Sequence, residues 1–168
     1  QSTEAAFKYF LLGAFASAFF LYGIAFIYGV TGTTNIERMS TAIAAQSMSG
    51  NPMILLGIGM LIIGFCFKIG AVPFHMWTPD AYEGAPSVVT AFMSTGVKAA
   101  AVAAFVRVFL KGLDPMIADW APVLWWIAAA TMVIGTVVGV AQTSLKRMLA
   151  YSSIAHGGYI LAGIVAGN

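Results

Sequence analysis

Charged side chains are scarce in this sequence: Asp, Glu, Lys and Arg make up 8% of 168 residues, while 60% are hydrophobic. Soluble globular domains carry about 25% charged residues, so the composition excludes an ordinary water-soluble fold. The formal net charge of +2 is too small and too scattered to indicate nucleic-acid binding. We therefore expect a protein whose main solvent is lipid, in agreement with its mean hydropathy of +0.89.

Cysteine occurs once, as Cys66, in the middle of an apolar run. A lone thiol cannot form an internal disulfide, and no Cys/His cluster has metal-ligand spacing. We interpret Cys66 as a small buried hydrophobic residue. Gly-rich phosphate loops and nucleophile motifs are also missing from the sequence. We expect no metal, no redox cofactor and no covalent catalysis in this chain.

Long uncharged stretches take up much of the chain, at residues 9–36, 39–67 and 120–145. Each exceeds the ~20 residues that cross a hydrocarbon core as a helix. The pattern predicts an all-α, polytopic membrane helix bundle of about five transmembrane helices, one of them broken. We treat residues 1–168 as a single membrane domain. Because the chain lacks an initiating methionine and stops just after its last apolar segment, we expect it to be a fragment of a longer subunit.

Caps, prolines and polar clusters predict where the helices begin and end. A short amphipathic helix over residues 36–48, capped by Asn35, is expected at the membrane interface. Gly70 and Pro73 predict a break, because proline removes a backbone donor. A polar loop is expected over residues 74–85. The predicted membrane helices span residues 4–30, 52–70, 86–111, 120–142 and 148–165.

Basic residues and glycines add weaker signals. Loops on alternating sides carry three basic residues each, so charge does not orient the chain. The spacings Gly135-x-x-x-Gly139 and Gly163-x-x-x-Gly167 predict close helix packing. Three tryptophans predict an interfacial aromatic belt. The basic residues are Lys8, Lys146 and Arg147 on one side and Arg38, Arg107 and Lys111 on the other, and the tryptophans are Trp120, Trp125 and Trp126.

Lys98 is the strongest candidate for chemistry. It lies about twelve residues into the third helix, roughly 17 Å along it and close to the bilayer midplane. A charge there costs ~2.5–3.5 kcal/mol on the most lenient insertion scale, and snorkelling to water works only near helix ends. The lysine therefore needs a partner, a hydrated cavity or a neutral form. The alternative is a structural partner for a carboxylate outside the chain.

Other polar residues accompany it. Lys68, just before the predicted break, is a second proton-path candidate, or else a snorkelling anchor. His75 follows seven residues later, on the same face if the helix continues, and is either a proton relay or a hydrogen-bonded interfacial histidine. Glu4 and Lys8 have the i,i+4 spacing of an ion pair. The remaining expectations are that His156 lines a hydrated passage and that Asp80 and Glu83 are solvated caps.

Buried lysines suit proton transfer because burial destabilises their charged form, and a second cation nearby destabilises it further. Two such lysines exchange a proton readily, and a distant change of charge can bias which one holds it. This mechanism needs no cofactor in the chain.

Two long blocks resemble the antiporter-like subunits of respiratory complex I. They are GFCFKIGAVPFHMWTPDAYEGAP at residues 64–86 and QTSLKRMLAYSSIAHGGY at residues 142–159. The first helix, opening STEAAFKYFLLG, and the lysine at Lys98 are similar to the subunit N family (subunit 2) of bacterial NADH:quinone oxidoreductase. The resemblance covers essentially the whole chain.

This resemblance implies the sixth to tenth helices of a fourteen-helix protein, part of an inverted-repeat transporter in the bacterial inner membrane. Lys68 and Lys98 match the lysines of the family's broken seventh and its eighth helix, and Glu4, Lys8 and His75 match secondary proton-path positions. The partner glutamate of the fifth helix and the ionisable residue of the twelfth lie outside the chain. The side bearing Lys146 would be cytoplasmic.

The implied function is proton translocation coupled to quinone reduction elsewhere in the complex. Other membrane subunits would be its partners, and NADH, FMN, iron–sulfur clusters and quinone would be bound in the complex rather than here. Contact between this chain and quinone stays open. Two alternatives also stay open: a subunit of a multi-subunit cation/proton antiporter, and a purely structural membrane subunit with Lys98 paired in a dry site.

Overall fold

The computed structural model of the chain describes residues 2–167, and all the regular secondary structure in that range is helical. Five of the helices are long and apolar enough to cross a membrane, over residues 3–31, 52–69, 87–112, 114–140 and 145–166. The predicted all-α membrane bundle is therefore confirmed. The elements are α1 Ser2–Thr31, α2 Ile36–Ala45, α3 Pro52–Ile69, α4 Trp77–Gly84, α5 Ser87–Gly112, α6 Ile117–Val140 and α7 Leu145–Ala166.

The predicted caps are present at α2 and α3. The Asn35 side chain accepts a hydrogen bond from the backbone N–H of Arg38 at 3.0 Å. Asn51 accepts one from Met53 N–H, also at 3.0 Å, and Pro52 occupies the start of α3. These side chains satisfy donors that have no partner inside a first helical turn. Both helix starts are confirmed.

The predicted break follows α3. Gly70 ends the helix in the left-handed conformation at φ 78°, where a residue without Cβ is favoured. A non-helical turn over residues 71–76 contains Pro73, and the chain then enters α4. The turn is fixed to α6, because the backbone N–H of Val72 donates to Thr131 Oγ1 at 3.0 Å.

The expectation of a polar loop over residues 74–85 is wrong, because most of that segment is α4. Trp77 is buried and its Nε1–H donates to the Phe67 carbonyl at 3.0 Å, which folds the segment back onto α3. Pro79 lies in the first turn of α4, where a missing N–H costs little. Tertiary burial therefore overrides the local loop signals of this segment.

α5 departs from regular α-helical geometry in two places. Residues Met93–Val97, directly before Lys98, and residues Val108–Gly112 are π-helical. Sequence patterns did not indicate either segment. π segments widen a helix by one residue per turn and occur often at functional sites.

Glycines set the close approach of α6 to α7. A Cβ on Gly135 would lie 2.9 Å from the Ala155 nitrogen, so the two helices touch through backbone atoms. Gly139 faces Tyr151 in the same interface, and the packing predicted for this pair of glycines is confirmed. A Cβ on Gly163 or on Gly167 would meet no atom of another described residue within 4 Å. The close helix packing predicted for this second pair is therefore wrong for the described part of the chain.

An aromatic core lies between α3, α5 and α6. Phe105 and Phe109 stack with centroids 4.3 Å apart, and Phe65 packs edge-on against both. Trp120 joins this core, is 1% exposed and donates to the Leu113 carbonyl at 2.9 Å. The prediction that Trp120 faces the membrane interface is wrong. The Leu113 carbonyl in the turn before α6 accepts its indole hydrogen bond inside the protein.

Candidate functional site: a buried lysine beside a broken helix

Lys98 lies in the middle of α5 with 8% of its surface exposed. Its Nζ donates to Ser153 Oγ at 2.7 Å and to the Ser153 carbonyl oxygen at 3.0 Å, so the side chain crosses from α5 to α7. The short distance is typical of a hydrogen bond from a charged donor. The lysine neither snorkels to a helix end nor points away from the protein, and it has the partner that its position demands.

The Lys98 amine also lies against the break between α3 and α4. A Cβ built on Gly70 would be 3.9 Å from Lys98 Nζ and 2.8 Å from Thr78 Oγ1. Gly70 leaves this space open because it has no side chain, and its positive φ requires glycine in any case. The lysine of α5, the end of α3 and the start of α4 therefore meet at one point.

Two buried hydroxyl groups on α4 border this region. Thr78 Oγ1 and Tyr82 OH have no hydrogen-bond partner among the described residues. Burial raises the pKa of Tyr82 to about 12, although the nearby Ser153 hydroxyl opposes the rise. Tyr82 is thus neutral at physiological pH. Buried polar atoms without partners are uncommon in native proteins and indicate sites for water or for a moving donor.

A groove of about 540 Å³ runs from Ser153 along α5 and α7. Hydroxyl groups of Ser87, Thr90 and Ser94 line it on the α5 side, and Lys146 and His156 lie on the α7 side. The His156 Nδ1 is 2.8 Å from the Ser152 carbonyl oxygen. His156 lines this groove together with Ser153, the serine that binds Lys98, and its place in a hydrated passage stays a prediction.

Lys68 lies near the end of α3, directly before the break, and has a different partner. Its Nζ donates to Tyr9 OH on α1 at 3.3 Å and lies 5.7 Å from the centre of the Tyr9 ring. Lys68 is exposed in this chain, unlike Lys98. Each of the two lysines is therefore hydrogen-bonded to a hydroxyl of another helix.

His75 does not continue the face of Lys68, because the two-turn spacing required a helix that continues through Pro73. α3 ends at Gly70, and His75 falls in the non-helical turn that follows. Its ring is half-buried and meets the Tyr151 ring edge-on, with centroids 6.5 Å apart. Burial lowers the pKa of His75, although the backbone of Pro73 opposes the shift. The imidazole is therefore neutral at physiological pH.

Glu4 and Lys8 form the predicted i,i+4 ion pair, 2.8 Å long, at the start of α1. Lys8 also contacts Asp80 at 3.0 Å, and Asp80 in turn contacts Arg147 at 2.9 Å. Arg147 reaches Glu83 at 3.0 Å. These five residues form what we call the ionic cluster, which joins α1, α4 and α7.

The interpretation of Asp80 and Glu83 as solvated caps is wrong. Partial burial alone would raise the pKa of Asp80, but hydrogen bonds and ion pairs with Lys8 and Arg147 outweigh it and hold the pKa below its ordinary value. Arg147 and the Ser144 hydroxyl likewise lower the pKa of Glu83. The sequence signal for this pairing is the distribution of charge: the first long block carries the acids Asp80 and Glu83, and the second carries the bases Lys146 and Arg147.

Comparison with known proteins gives consistent matches over the whole chain. The family described as NADH:quinone oxidoreductase/Mrp antiporter, TM, matches residues 1–168. NADH-quinone oxidoreductase subunit N of Trichlorobacter lovleyi is 53% identical over 168 residues, which are 100% of this chain and 34% of that protein. The subunit N of Mycobacterium tuberculosis is 54% identical over 167 residues, 99% of this chain and 31% of that protein. The chain thus spans about a third of the length of these relatives.

Solved structures show the same fold. Respiratory complex I from Thermus thermophilus with bound aureothin contains a chain that is 43% identical, with a TM-score of 0.80 over 98% of this chain and 34% of that one. The Mrp complex from Dietzia sp. DQ12-45-1b contains one that is 28% identical, with a TM-score of 0.85 over 97% of this chain and 29% of that one. Both solved structures are of complexes, by their descriptions.

Proposed function

Since the chain belongs to the NADH:quinone oxidoreductase/Mrp antiporter transmembrane family, we propose that it is the central part of a proton-translocating subunit of NADH:quinone oxidoreductase. The identity of 53% to a subunit N, against 28% to a chain of an Mrp complex, favours the respiratory enzyme. Proton movement would be coupled to quinone reduction in other subunits.

The burial of Lys98 is the observation that carries this proposal. Its amine lies mid-helix, within hydrogen-bond distance of a serine and with no carboxylate partner among the described residues. Burial disfavours the charged form of lysine. A lysine held this way can give up and regain a proton, whereas a purely structural cation would be expected to face an acid.

The other polar residues extend the path from this point. Lys68, in the last turn of α3 before the break, is the second proton-carrying group, with the Tyr9 hydroxyl as its partner in this chain. His75, neutral in the turn between α3 and α4, supplies an imidazole that can accept and pass on a proton. Glu4 and Lys8 belong to the ionic cluster that joins α1, α4 and α7, and they are assigned a secondary role in the path.

The subunit would work as one part of a larger assembly. Other membrane subunits of complex I are its proposed partners, and NADH, FMN, iron–sulfur clusters and quinone would be bound elsewhere in that assembly. The five apolar helices place the chain in a membrane. The bacterial inner membrane is the proposed location, with the Lys146 side cytoplasmic.

Replacement of Lys98 by arginine or methionine in the full-length protein tests the proposal. Arginine keeps the positive charge but does not deprotonate in proteins, so both variants should strongly lower proton pumping in inverted membrane vesicles. Lys111→Met, at the exposed end of the same helix, is the matched control and should pump normally. Normal pumping by Lys98→Arg would show that only the charge matters and would refute proton transfer through Lys98.

Co-purification separates the respiratory function from the antiporter alternative. A tag on the full-length protein should recover flavin and iron–sulfur subunits together with it. Recovery of antiporter subunits alone, with no flavin absorbance, would favour the cation/proton antiporter.

A further inference from the structure

The contact between Lys98 and Ser153 places one hydroxyl group between the buried amine and the groove. Ser153 Oγ accepts a hydrogen bond from Lys98 Nζ at 2.7 Å, and the same serine lines the wall of the groove. Among the described residues, the two hydrogen bonds of the Lys98 amine both go to Ser153. The serine therefore decides where the amine points.

Two hydroxyl groups near this contact have no hydrogen-bond partner among the described residues. Thr78 Oγ1, fully buried on α4, lies on the other side of the space left open by Gly70. Tyr82 OH lies near Ser153 and is also unpartnered in the described structure. The amine is thus held at the groove side of a small polar region.

We propose that Ser153 is the positioning residue for Lys98 and joins its amine to the groove lined by Lys146 and His156, an inference that rests on the proposed function. An N–H bond of the ammonium group breaks as an O–H bond forms on Ser153, while the original hydroxyl proton of Ser153 passes to a water molecule in the groove. The products are a neutral lysine, an unchanged serine and a hydronium ion. The reverse sequence reloads Lys98.

Two substitutions of nearly equal shape separate the hydroxyl group from packing. Ser153→Thr keeps the hydroxyl, and Ser153→Val replaces it with a methyl group of similar volume. In the full-length protein within its assembled complex, Ser153→Val should lower the number of protons pumped per NADH oxidised, with the pumping rate falling about tenfold, as expected for loss of a hydrogen bond to a charged group. Ser153→Thr should pump near the wild-type rate.

Thr41→Val is the control, because it exchanges a hydroxyl for a methyl group at an exposed residue of α2 that neither contacts Lys98 nor lines the groove. Its pumping should stay close to wild type. Native gels give the amount of assembled complex for each variant, so that pumping is compared per complex. Equal pumping by Ser153→Val and Ser153→Thr, whether normal or low, would overturn the positioning role, because the hydroxyl would then make no difference.

The Lys98 variants distinguish this failure from failure of the proposed function. If Lys98→Met abolishes pumping while Ser153→Val pumps normally, only the role of Ser153 is wrong. If Lys98→Met itself pumps normally, the proposed proton path through Lys98 is wrong as well.

Discussion

Asp80 and Arg147 form an ion pair of 2.9 Å across 67 residues of sequence, tying α4 to α7. The second oxygen of the same carboxylate accepts from Lys8 on α1 at 3.0 Å. One aspartate, in the first turn of the short helix that follows the break, therefore holds three helices together. The position of α4 relative to Lys98 depends on this contact.

Asp80→Asn should loosen α4 without removing a hydrogen-bonding side chain. The Asp80 and Arg147 side chains are 28% and 31% exposed, so their pair is worth about 1 kcal/mol or less. We expect a small loss of thermal stability of the purified complex, measured as the temperature at which it dissociates in detergent. Glu4→Gln is the control, because it breaks an i,i+4 pair within α1 alone. An equal effect of both changes would show that Asp80 does not link the helices.

The loss of stability caused by Asp80→Asn should be full at neutral pH and should shrink only at acidic pH. Because the folded-state pKa of Asp80 is lowered, its stabilisation is fully present above the unfolded value of ~3.9 and is lost as the pH falls through the folded value. The difference in dissociation temperature between wild type and variant should therefore stay constant from about pH 8 to pH 5. A difference that disappears within this range would contradict the assignment of the charged form to Asp80.

Gly70→Ala should destabilise the protein by more than the strain of alanine at a positive φ alone would. Gly70 and Gly50 have nearly equal positive φ values, 78° and 77°, so alanine is strained by roughly 1 kcal/mol at either position. At Gly70 the new Cβ would also meet Thr78 Oγ1 at 2.8 Å, whereas at Gly50 no atom lies within 4 Å. We expect Gly70→Ala to lose about 1 kcal/mol more stability and to lower pumping, with Gly50→Ala as the matched control. Equal losses would show that the space beside Lys98 tolerates a methyl group.

Gly135→Ala should separate α6 from α7. The added methyl group would lie 2.9 Å from the backbone nitrogen of Ala155, so the helices must shift, at a cost of about 1–3 kcal/mol. Gly163→Ala, in the same pair of helices, adds a methyl group with no described neighbour within 4 Å and should be tolerated. The yield of assembled complex in membranes, measured by native gel, checks both. A comparable loss for Gly163→Ala would contradict this difference.

Much of the architecture was predictable from local signals. Uncharged runs longer than a bilayer predicted the membrane helices, Asn35 and Asn51 predicted helix starts, and Gly70 with Pro73 predicted the break. Lys98 was identifiable because a charge in the middle of an apolar helix needs a special environment. All of these depend on residues within a few positions of one another.

The missed features depend on residues far apart in sequence. α4 was mistaken for a loop because its Pro79 and Gly84 favour turns, and the burial of Trp77 against α3 is not visible locally. Asp80 was assigned to solvent because its partners lie on α1 and α7, 72 and 67 residues away. Ser153, one of many serines, became notable only when α7 was placed beside Lys98.

The π segment Met93–Val97 has a consequence for how this stretch can vary in length. It accommodates an extra residue immediately before Lys98, and one residue corresponds to about 100° of rotation in an α-helix. Deletion of a residue there would turn the two halves of α5 against each other and carry the lysine away from α7. Sequences that keep a lysine at this position should therefore align across the segment without gaps, even where its side chains differ.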